Sequence, residues 1–354
     1  MSPLSSLISL GGGISSTGVI AAGASGFDPS NGFDTVLYTG NNGVPFDVTG
    51  LKFQPDLVWY KHRTGGSSHG IFDSVRGAGK YIFSNGANAE QTLSGVSAFN
   101  SDGFSLGTDP GGNGSGDWVA WCWKAGGPAV SNSDGTITSQ VSVNETYGFS
   151  IVTYTGDGSG TANSDSGDSF GHGLSTAPRF VICKRRNSSN GWPVYHASTS
   201  LGALSLSGAN PLDTGSFLFA QQHPSSSVVY LGNNPEINAG GSTYVAYCWS
   251  EREGYSKFGS YIANGSDDGP LVTTGFRVGY LLTKRITSGG SWEIHDSRRP
   301  GSNPRDERLL ADSFDSESGG NDVDFLSDGF KINNSFSGMN GTNGDIYVYA
   351  AFAG

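Results

Sequence analysis

Three lysines in this chain are each followed, twelve residues later, by a side chain that could pair with an ammonium group. The pairs are Lys61 with Asp73, Lys184 with His196, and Lys284 with Asp296. This spacing fits either a recurring ion pair between neighbouring strands or a ligand site present in three copies. We favour structural ion pairs, Lys61–Asp73 and Lys284–Asp296, because a ligand site should not survive in triplicate with His replacing Asp. An exposed pair of this kind contributes less than ~1 kcal/mol.

Acidic residues gather in several loop-like segments, where their oxygens could hold calcium. They are Asp157, Asp165, Asp168, Asp267, Asp268, Asp312, Asp315, Glu317, Asp322 and Asp324. None of these segments follows the EF-hand pattern of alternating acids, a central Gly and a closing Glu. Because Asp is also a frequent turn residue, we interpret most of them as turn formers. Loop-bound calcium is the one cofactor hypothesis, and no other cofactor is expected.

No catalytic signature stands out. The glycine strings GGNGSGDW (111–118) and TGDGSG (155–160) lack the strand, helix and Lys-Ser or Lys-Thr of a phosphate loop. No GxSxG elbow lies at a strand-to-helix turn, and the six His residues are scattered. The sequence does not exclude a pair of carboxylates that cleaves glycosides, because such a pair needs only proximity in space. We expect a protein that is not an enzyme.

Five aromatic residues near predicted strand ends could form platforms on which sugar rings stack. They are Trp59, Tyr60, Trp118, Trp192 and Trp292. The alternative, which we favour, is that they fill sandwich cores and interfaces.

The three cysteines, Cys122, Cys183 and Cys248, are an odd number, and no two are close in sequence. Cys122 and Cys248 occupy equivalent positions in two repeats, so they should lie in separate cores. We therefore expect buried free thiols, which suit folding in a reducing cytoplasm, and no metal site.

The element that must position these residues is a predicted strand whose sequence occurs three times in the chain. The copies are DWVAWCWKAG (117–126), TYVAYCWSE (243–251) and IYVYAAFAG (346–354), in which Trp121, Tyr247 and Ala350 are equivalent. Each is a dense aromatic and β-branched run without helical period or Pro, which is typical of a strand buried on both faces. With 56 Gly and many Ser and Asn, the chain favours short strands and tight turns. We predict an all-β protein with three tandem β-sandwich repeats of jelly-roll or lectin-like type.

Matching landmarks fix the predicted domains. They are an N-terminal arm (1–30), repeat 1 (31–127), a linker with one edge strand (128–146), repeat 2 (147–251) and repeat 3 (252–354). Because almost no linker separates repeats 2 and 3, we expect those two to dock tightly and repeat 1 to be more independent.

The arm is rich in Gly and Ser and contains too little bulk to fold alone. Its apolar residues Leu4, Leu7, Ile8 and Leu10 are either a docking arm that orders on a partner or a flexible terminus. The first 51 residues contain no Lys or Arg, so a secretory signal is not expected. No apolar run reaches membrane-spanning length.

The formal charge of −11 argues against nucleic-acid binding, because an acidic surface repels phosphate backbones. Only 14% of residues are charged, which fits a folded, solvated surface.

Several motifs resemble a repeat-built family of tail-fibre-like virion structural proteins from tailed phages of marine bacteria. They are VAWCWKAGG (119–127), VVYLGNNPEINAGGSTYVAYCW (228–249), its extension to SEREGYSKFGSY (250–261), and SDGFKINN (327–334) with IYVYAAFAG. The resemblance covers about residues 32–354. It implies a place on a phage particle and brings no catalytic residues with it.

Two roles on a virion compete. In the first, the protein is a surface fibre or appendage, anchored through its N-terminal arm to other capsid or tail proteins. It would be a homo-oligomer, with a trimer favoured, and would present its sandwiches to a host surface glycan. In the second, it decorates and stabilises the capsid without binding a receptor. A non-viral lectin-like adhesin is a weaker alternative. The expected location is the virion surface, after assembly in the host cytoplasm.

Overall fold

The computed structural model describes residues 27–320 and 323–354, and nearly all of their regular structure is β-strand. A 3-10 turn at Pro29–Asn31 and the short helix α1 (Pro110–Asn113) are the helical elements of this described part. We describe three modules: module 1 (31–127), module 2 (128–251) and module 3 (252–354). In the described ranges, no helix is long and apolar enough to cross a membrane.

Module 1 is built from nine strands. They are β1 (Phe33–Gly40), β2 (Phe46–Thr49), β3 (Leu57–His62), β4 (Gly70–Asp73), β5 (Lys80–Tyr81), β6 (Gln91–Thr92), β7 (Val96–Asn100), β8 (Gly103–Leu106) and β9 (Gly116–Trp123). The large sheet has the order β1-β9-β3-β4, the small sheet has the order β2-β8-β7, and β5 pairs with β6.

Module 2 is also built from nine strands. They are β10 (Val130–Asn132), β11 (Ser139–Asn144), β12 (Phe149–Thr155), β13 (Asp165–Gly171), β14 (Phe180–Arg185), β15 (Pro193–His196), β16 (Leu204–Ser205), β17 (Val228–Gly232) and β18 (Thr243–Trp249). The large sheet has the order β10-β11-β12-β18-β14-β15-β16, and the small sheet pairs β13 with β17.

The described residues of module 3 form eight strands. They are β19 (Ser256–Ile262), β20 (Leu271–Thr273), β21 (Val278–Arg285), β22 (Trp292–Asp296), β23 (Leu309–Leu310), β24 (Val323–Phe325), β25 (Gly329–Ile332) and β26 (Ile346–Ala353). The large sheet has the order β19-β26-β21-β22-β23, and the small sheet has the order β20-β25-β24.

The recurring strand of the sequence, now β9, β18 and β26, lies inside each large sheet; we call these three the signature strands. Each is flanked on one side by β1, β12 or β19, and on the other side by the strand that carries the lysine. In module 1, for example, Trp123 is paired with Phe33 of β1 on one side and with Leu57 of β3 on the other. All paired strands within these sheets are antiparallel.

Alternation along each signature strand divides its side chains between two cores, because successive residues point to opposite faces of a sheet. In β9, Ala120 and Cys122 face the small sheet and share a core with Phe104 and Leu106 of β8, which belong to that sheet. Sheet-on-sheet cores of the same kind fill modules 2 and 3. The predicted all-β sandwich architecture is confirmed, and so is the burial of the signature strands on both faces.

The opposite faces of the three large sheets pack against one another in a fourth core that all modules share. At its middle, Trp123, Trp249 and Phe352 occupy the same position of the three signature strands. Their ring centroids lie 6.0, 5.6 and 6.3 Å apart, so each ring contacts the other two. The modules therefore form a closed ring. Module 1 packs as closely as the other two, contrary to the expectation that it would be more independent.

The segment 128–146, predicted as a linker with one edge strand, supplies two strands to module 2. Ser139–Asn144 alternates small or polar with apolar residues and pairs along its whole length with β12, and β10 pairs with β11 outside it. The buried side chain of Val141 joins the core of module 2. Strand pairing and burial therefore override the Gly, Ser and Pro content that suggests a linker.

Candidate functional site

The side chains singled out by their spacing lie where neighbouring modules meet, and two of the three boundaries use the same pair of positions. At the boundary of modules 1 and 2, the hydroxyl of Tyr247 donates to Asp73 Oδ2 over 2.7 Å. At the boundary of modules 3 and 1, Trp121 Nε1 donates to Asp296 Oδ2 over 2.9 Å. The aromatic residue of one signature strand thus reaches the carboxylate at the end of its neighbour's β4 or β22.

Each of these buried aspartates is also held by an arginine three residues further along the chain. Arg76 Nε lies 2.5 Å from Asp73 Oδ2, and Arg299 Nε lies 2.6 Å from Asp296 Oδ2, with all four side chains fully buried. Burial by itself would lower the pKa of Arg76, but the carboxylates of Asp73 and Glu90 outweigh it and raise the pKa. Removing one partner of such a pair would leave an uncompensated charge in the interior, which is strongly destabilising.

A second acid extends each network across the boundary. Glu90 of module 1 contacts Arg76 and, at 2.9 Å, Arg186 of module 2. Glu317 of module 3 contacts Arg299 and, at 2.8 Å, Arg63 of module 1. Backbone bonds accompany both contacts, since the amides of Glu90 and Glu317 donate to the carbonyl oxygens of Arg186 and Arg63 at 2.8 Å.

The boundary of modules 2 and 3 has the same backbone geometry but neutral side chains. Leu212 and Ile286 hold the places of the Glu and the Arg, and the Leu212 amide donates to the Ile286 carbonyl oxygen over 3.0 Å. Both side chains belong to the shared apolar core. Where the other boundaries have Asp and Arg, this one has His196 and Thr199, and where they have Tyr or Trp it has Ala350.

His196 replaces Asp because its partner has changed. With Ala350 in place of a Tyr or Trp donor, the neighbouring strand offers a carbonyl oxygen, and His196 Nε2 donates to Tyr349 O over 3.0 Å. Its Nδ1 accepts from the amide of Ser198 over 3.1 Å, so the ring is the neutral tautomer. Burial lowers the pKa of His196 to about 4, which keeps it neutral at pH 7.

The three lysines are equivalent, as predicted, and each hydrogen-bonds to backbone carbonyl oxygens on both sides of a boundary. Lys184 Nζ donates to Ala87 O of module 1 at 2.9 Å and to Asn190 O of its own module at 2.6 Å. Lys61 reaches Phe314 O of module 3 and Lys284 reaches Gly208 O of module 2. Burial lowers the pKa of each lysine to about 8.

The predicted ion pairs Lys61–Asp73 and Lys284–Asp296 do not form, and Lys184 does not pair with His196. In the β3–β4 hairpin, Asp73 lies opposite Leu57. That position is four residues from Lys61, or roughly 13 Å along the strand. Asp296 is placed in the same way relative to Lys284, because it pairs with Tyr280. The equal spacing arises because the same hairpin is repeated in each module. In modules 1 and 3, the Asp of this hairpin makes one contact across a boundary and the Lys makes a different one.

None of the five predicted sugar platforms presents its ring to solvent. Trp59, Tyr60, Trp118, Trp192 and Trp292 are all at least 97% buried. Lys184 and Lys284 lie 5.7 Å from the ring centroids of Trp192 and Trp292, and the indole nitrogens of these two rings donate to carbonyl oxygens of the preceding module. These aromatic residues are core and boundary residues, which was the favoured alternative.

Other predicted sites have plain outcomes. All three cysteines are buried free thiols, with Cys122 in the core of module 1 and Cys183 and Cys248 in that of module 2. Over residues 27–320 and 323–354, no group of three or more His, Cys, Asp or Glu could hold a metal ion, so the calcium hypothesis gains no site there. The arm residues Leu4, Leu7, Ile8 and Leu10 lie outside the described residues.

Sequence reasoning missed the arginines that hold the aspartates. A signal for them exists: both follow in a D-S-x-R pattern, DSVR at 73–76 and DSRR at 296–299. Their acids, Glu90 and Glu317, stand 14 and 18 residues after Arg76 and Arg299, and the unequal loops hide that equivalence. Chemically, these contacts bind one module to the next, and each charged group in them is already engaged by protein atoms.

Comparison with known proteins adds one finding. No curated protein and no solved structure matches this chain. One family model matches residues 28–354, which include all three modules and every boundary contact described above. The chain belongs to the family of that model, the domain of unknown function DUF7483.

Proposed function

We propose that this protein is a structural component of a tailed-phage virion surface. In this role it is a fibre-type or appendage-type protein, anchored through its N-terminal segment, that presents its sandwich modules to the host surface. The resemblance of its repeated motifs to tail-fibre-like proteins motivates the proposal. The observation that carries it furthest is the position of Phe27, the first described residue, at the junction of the modules.

Phe27 packs where the modules meet. Its ring centroid lies 5.4 Å from that of Tyr147 in module 2 and 6.1 Å from that of Tyr255 in module 3. Tyr255 in turn contacts Phe352 of the central aromatic trio, and the Tyr147 hydroxyl donates to Asp28 O. A tether attached at this point pulls on all three modules at once, which suits an anchored body.

The opposite ends of the signature strands lie away from this attachment point. They begin at Gly116, Thr243 and Ile346, roughly 20 Å along the strand from the central trio. The turns that follow the three lysine strands lie at those same ends, because Lys61 pairs near the start of β9. In an anchored ring these turns, which also contact the neighbouring module, would lie on the side away from the anchor, where a receptor could reach their exposed residues.

The closed ring also favours a second role, decoration of the capsid. Three modules that share one core cannot be strung out along a shaft, and a compact body suits a shell surface as well as a fibre tip. Copy number separates the two roles. We expect a few copies per particle for a fibre tip and tens to hundreds for a decoration protein, measured by stained gel of purified virions. Absence of the chain from purified virions would refute both.

Anchoring is tested by removing residues 1–26, which leaves Phe27 and the ring in place. The truncated protein should unfold at the same temperature as the intact protein but fail to enter particles. A chain that lacks these residues and is still incorporated would contradict the anchoring role. Light scattering of the intact protein tests the expected homotrimer, and a monomer would restrict the threefold arrangement to the single chain.

A further inference from the structure

A cavity of about 230 Å³ lies between module 1 and module 3. Asp34 and Thr35 of β1 form one wall. The other walls come from module 3, including Gly279 and the three arginines Arg277, Arg298 and Arg305. Three arginines against one aspartate make this a locally basic site in a chain whose formal charge is −11.

Arg305 is built into the wall of this cavity. Arg305 is only 2% exposed, and its guanidinium lies 5.6 Å from the centroid of the Phe325 ring. One terminal nitrogen donates to the carbonyl oxygens of Ser297 and Pro300, but Nε has no hydrogen-bond partner among the described residues. A buried donor without an acceptor costs free energy, and most such donors in folded proteins are satisfied.

Charge balance distinguishes this site from the rest of the protein. The buried Arg76 and Arg299 each contact two carboxylates. In contrast, neither Arg277 nor Arg305 forms an ion pair with any described residue. Burial, and then the positive charge of Arg277, lower the pKa of Arg305 by more than the carboxylates of Asp296 and Asp324 raise it.

Arg298 is the third cation and the adjustable one. It reaches Asp34 Oδ1 at 3.1 Å, and its side chain is more than half exposed. An exposed pair of this kind is worth little, so Arg298 can exchange part of this contact for a ligand at small cost.

We propose that this cavity binds an oxyanion, a carboxylate, sulfate or phosphate group, carried by a molecule about the size of a sugar. The planar fork of an arginine matches such groups with paired hydrogen bonds. A second cavity of about 300 Å³ shares Asp34, Thr35 and Arg298 with the first, and Leu37 and Leu51 are among its other lining residues. This second cavity leaves room for the sugar-sized ring that carries the anionic group. The proposal rests on these residues and goes beyond the virion role, so it stands or fails separately.

Calorimetric titration of the intact protein tests the site, with sodium sulfate, sodium phosphate, glucuronate and glucose as separate ligands at constant ionic strength. We expect saturable binding of one equivalent of glucuronate and of sulfate or phosphate, and none of glucose. Arg277→Gln should weaken that binding at least about tenfold, because a hydrogen bond to a charged group is lost. The exposed Arg179→Gln, which removes an arginine outside the cavity, should leave it unchanged.

Four results would overturn the proposal or part of it. Failure of every anion to saturate would refute the site, and so would equal weakening by Arg277→Gln and Arg179→Gln, which would indicate only diffuse charge attraction. Binding of glucose as tightly as glucuronate would refute oxyanion recognition. Binding of sulfate without glucuronate would keep the oxyanion site and refute the attached ring. Circular dichroism of both variants confirms that each is folded before it is titrated.

Discussion

Leu212 donates its amide hydrogen to the carbonyl oxygen of Ile286 over 3.0 Å, across the boundary of modules 2 and 3. The same backbone bond joins Glu90 to Arg186 at the boundary of modules 1 and 2, where the side chains form an ion pair. A change from charged to apolar has thus occurred on both sides of one boundary together. Each module face is matched to its neighbour, which is what a closed ring of unlike modules requires.

This matching predicts a coupling that a double-mutant cycle can measure. Leu212→Glu and Ile286→Arg each place a charge in an apolar contact, and each should lower the free energy of unfolding by about 1 to 3 kcal/mol. Together they recreate the Glu–Arg pair of the other boundaries. The double variant should therefore be more stable than the sum of the single losses predicts, by at least ~1 kcal/mol in urea unfolding.

A distant acid provides the control for that cycle. Leu271→Glu introduces the same charge at an exposed position of β20 and should be additive with Ile286→Arg. Strict additivity of Leu212→Glu with Ile286→Arg would show that the two positions are not coupled.

The Tyr247 hydroxyl should contribute measurably to the boundary of modules 1 and 2. Tyr247→Phe removes its bond to Asp73 and should cost about 1 to 2 kcal/mol in unfolding free energy, because a buried carboxylate loses a donor. Tyr255→Phe is a matched control. Tyr255 is equally buried, but its hydroxyl has no hydrogen-bond partner among the described residues. Its removal should change stability by less than ~0.5 kcal/mol, and equal losses in the two variants would contradict the boundary role.

Much of this architecture could be predicted from sequence, because it depends on local pattern. The alternation around Trp121 and Cys122 indicates a strand buried on both faces, and the threefold return of that strand indicates equivalent sheets. Boundary partners could not be predicted in this way. Whether Asp73 meets Lys61 or Tyr247 depends on how separate sheets pack, and nothing in the spacing within one repeat reports the neighbour 174 residues away.

The same limit explains the aromatic residues. Trp192 and Trp292 lie close to strand ends, and a strand end of an isolated sandwich faces water. In the closed ring of modules, those ends face the preceding module, so that both indole rings are buried against it. The less favoured hypothesis of exposed platforms would hold only for isolated modules, and in the ring the favoured assignment to cores and interfaces applies.

The lysines predict a specific pH dependence. The pKa of Lys184 is lowered to about 8 in the folded protein by burial and is 10.5 in the unfolded chain. Between these values the unfolded state binds more protons, so this group adds to stability as pH rises through the window. Lys184→Met removes that contribution. The slope of unfolding free energy against pH between 8 and 10 should be less positive in Lys184→Met than in the wild type, by about 1.4 kcal/mol per pH unit at most.

Below pH 7 the two proteins should change in parallel, because Lys184 is then protonated in both states. This range provides the internal control, since loss of the bonds to Ala87 O and Asn190 O shifts the whole curve without changing its slope. Identical slopes in the alkaline range would show that the pKa of Lys184 is not lowered.

A fragment that lacks module 1 should not fold as a native body. Residues 128–354 retain modules 2 and 3 but expose the faces of Trp249 and Phe352 that Trp123 covers. We expect the fragment to bind a hydrophobic dye and to lose sharp near-ultraviolet circular dichroism. A fragment with native-like spectra would mean that the pair of modules is self-sufficient.

In the intact chain, Trp123→Ala should lower the free energy of unfolding by about 3 to 5 kcal/mol, as large core truncations do.

Scanning calorimetry of the intact protein tests the closed ring most directly. Chains of several independent domains usually unfold in several steps. Because the three modules share one core, we predict a single transition whose calorimetric and van't Hoff enthalpies agree. Two or three resolved transitions, each with the enthalpy of one module, would contradict the ring and show that the modules fold separately.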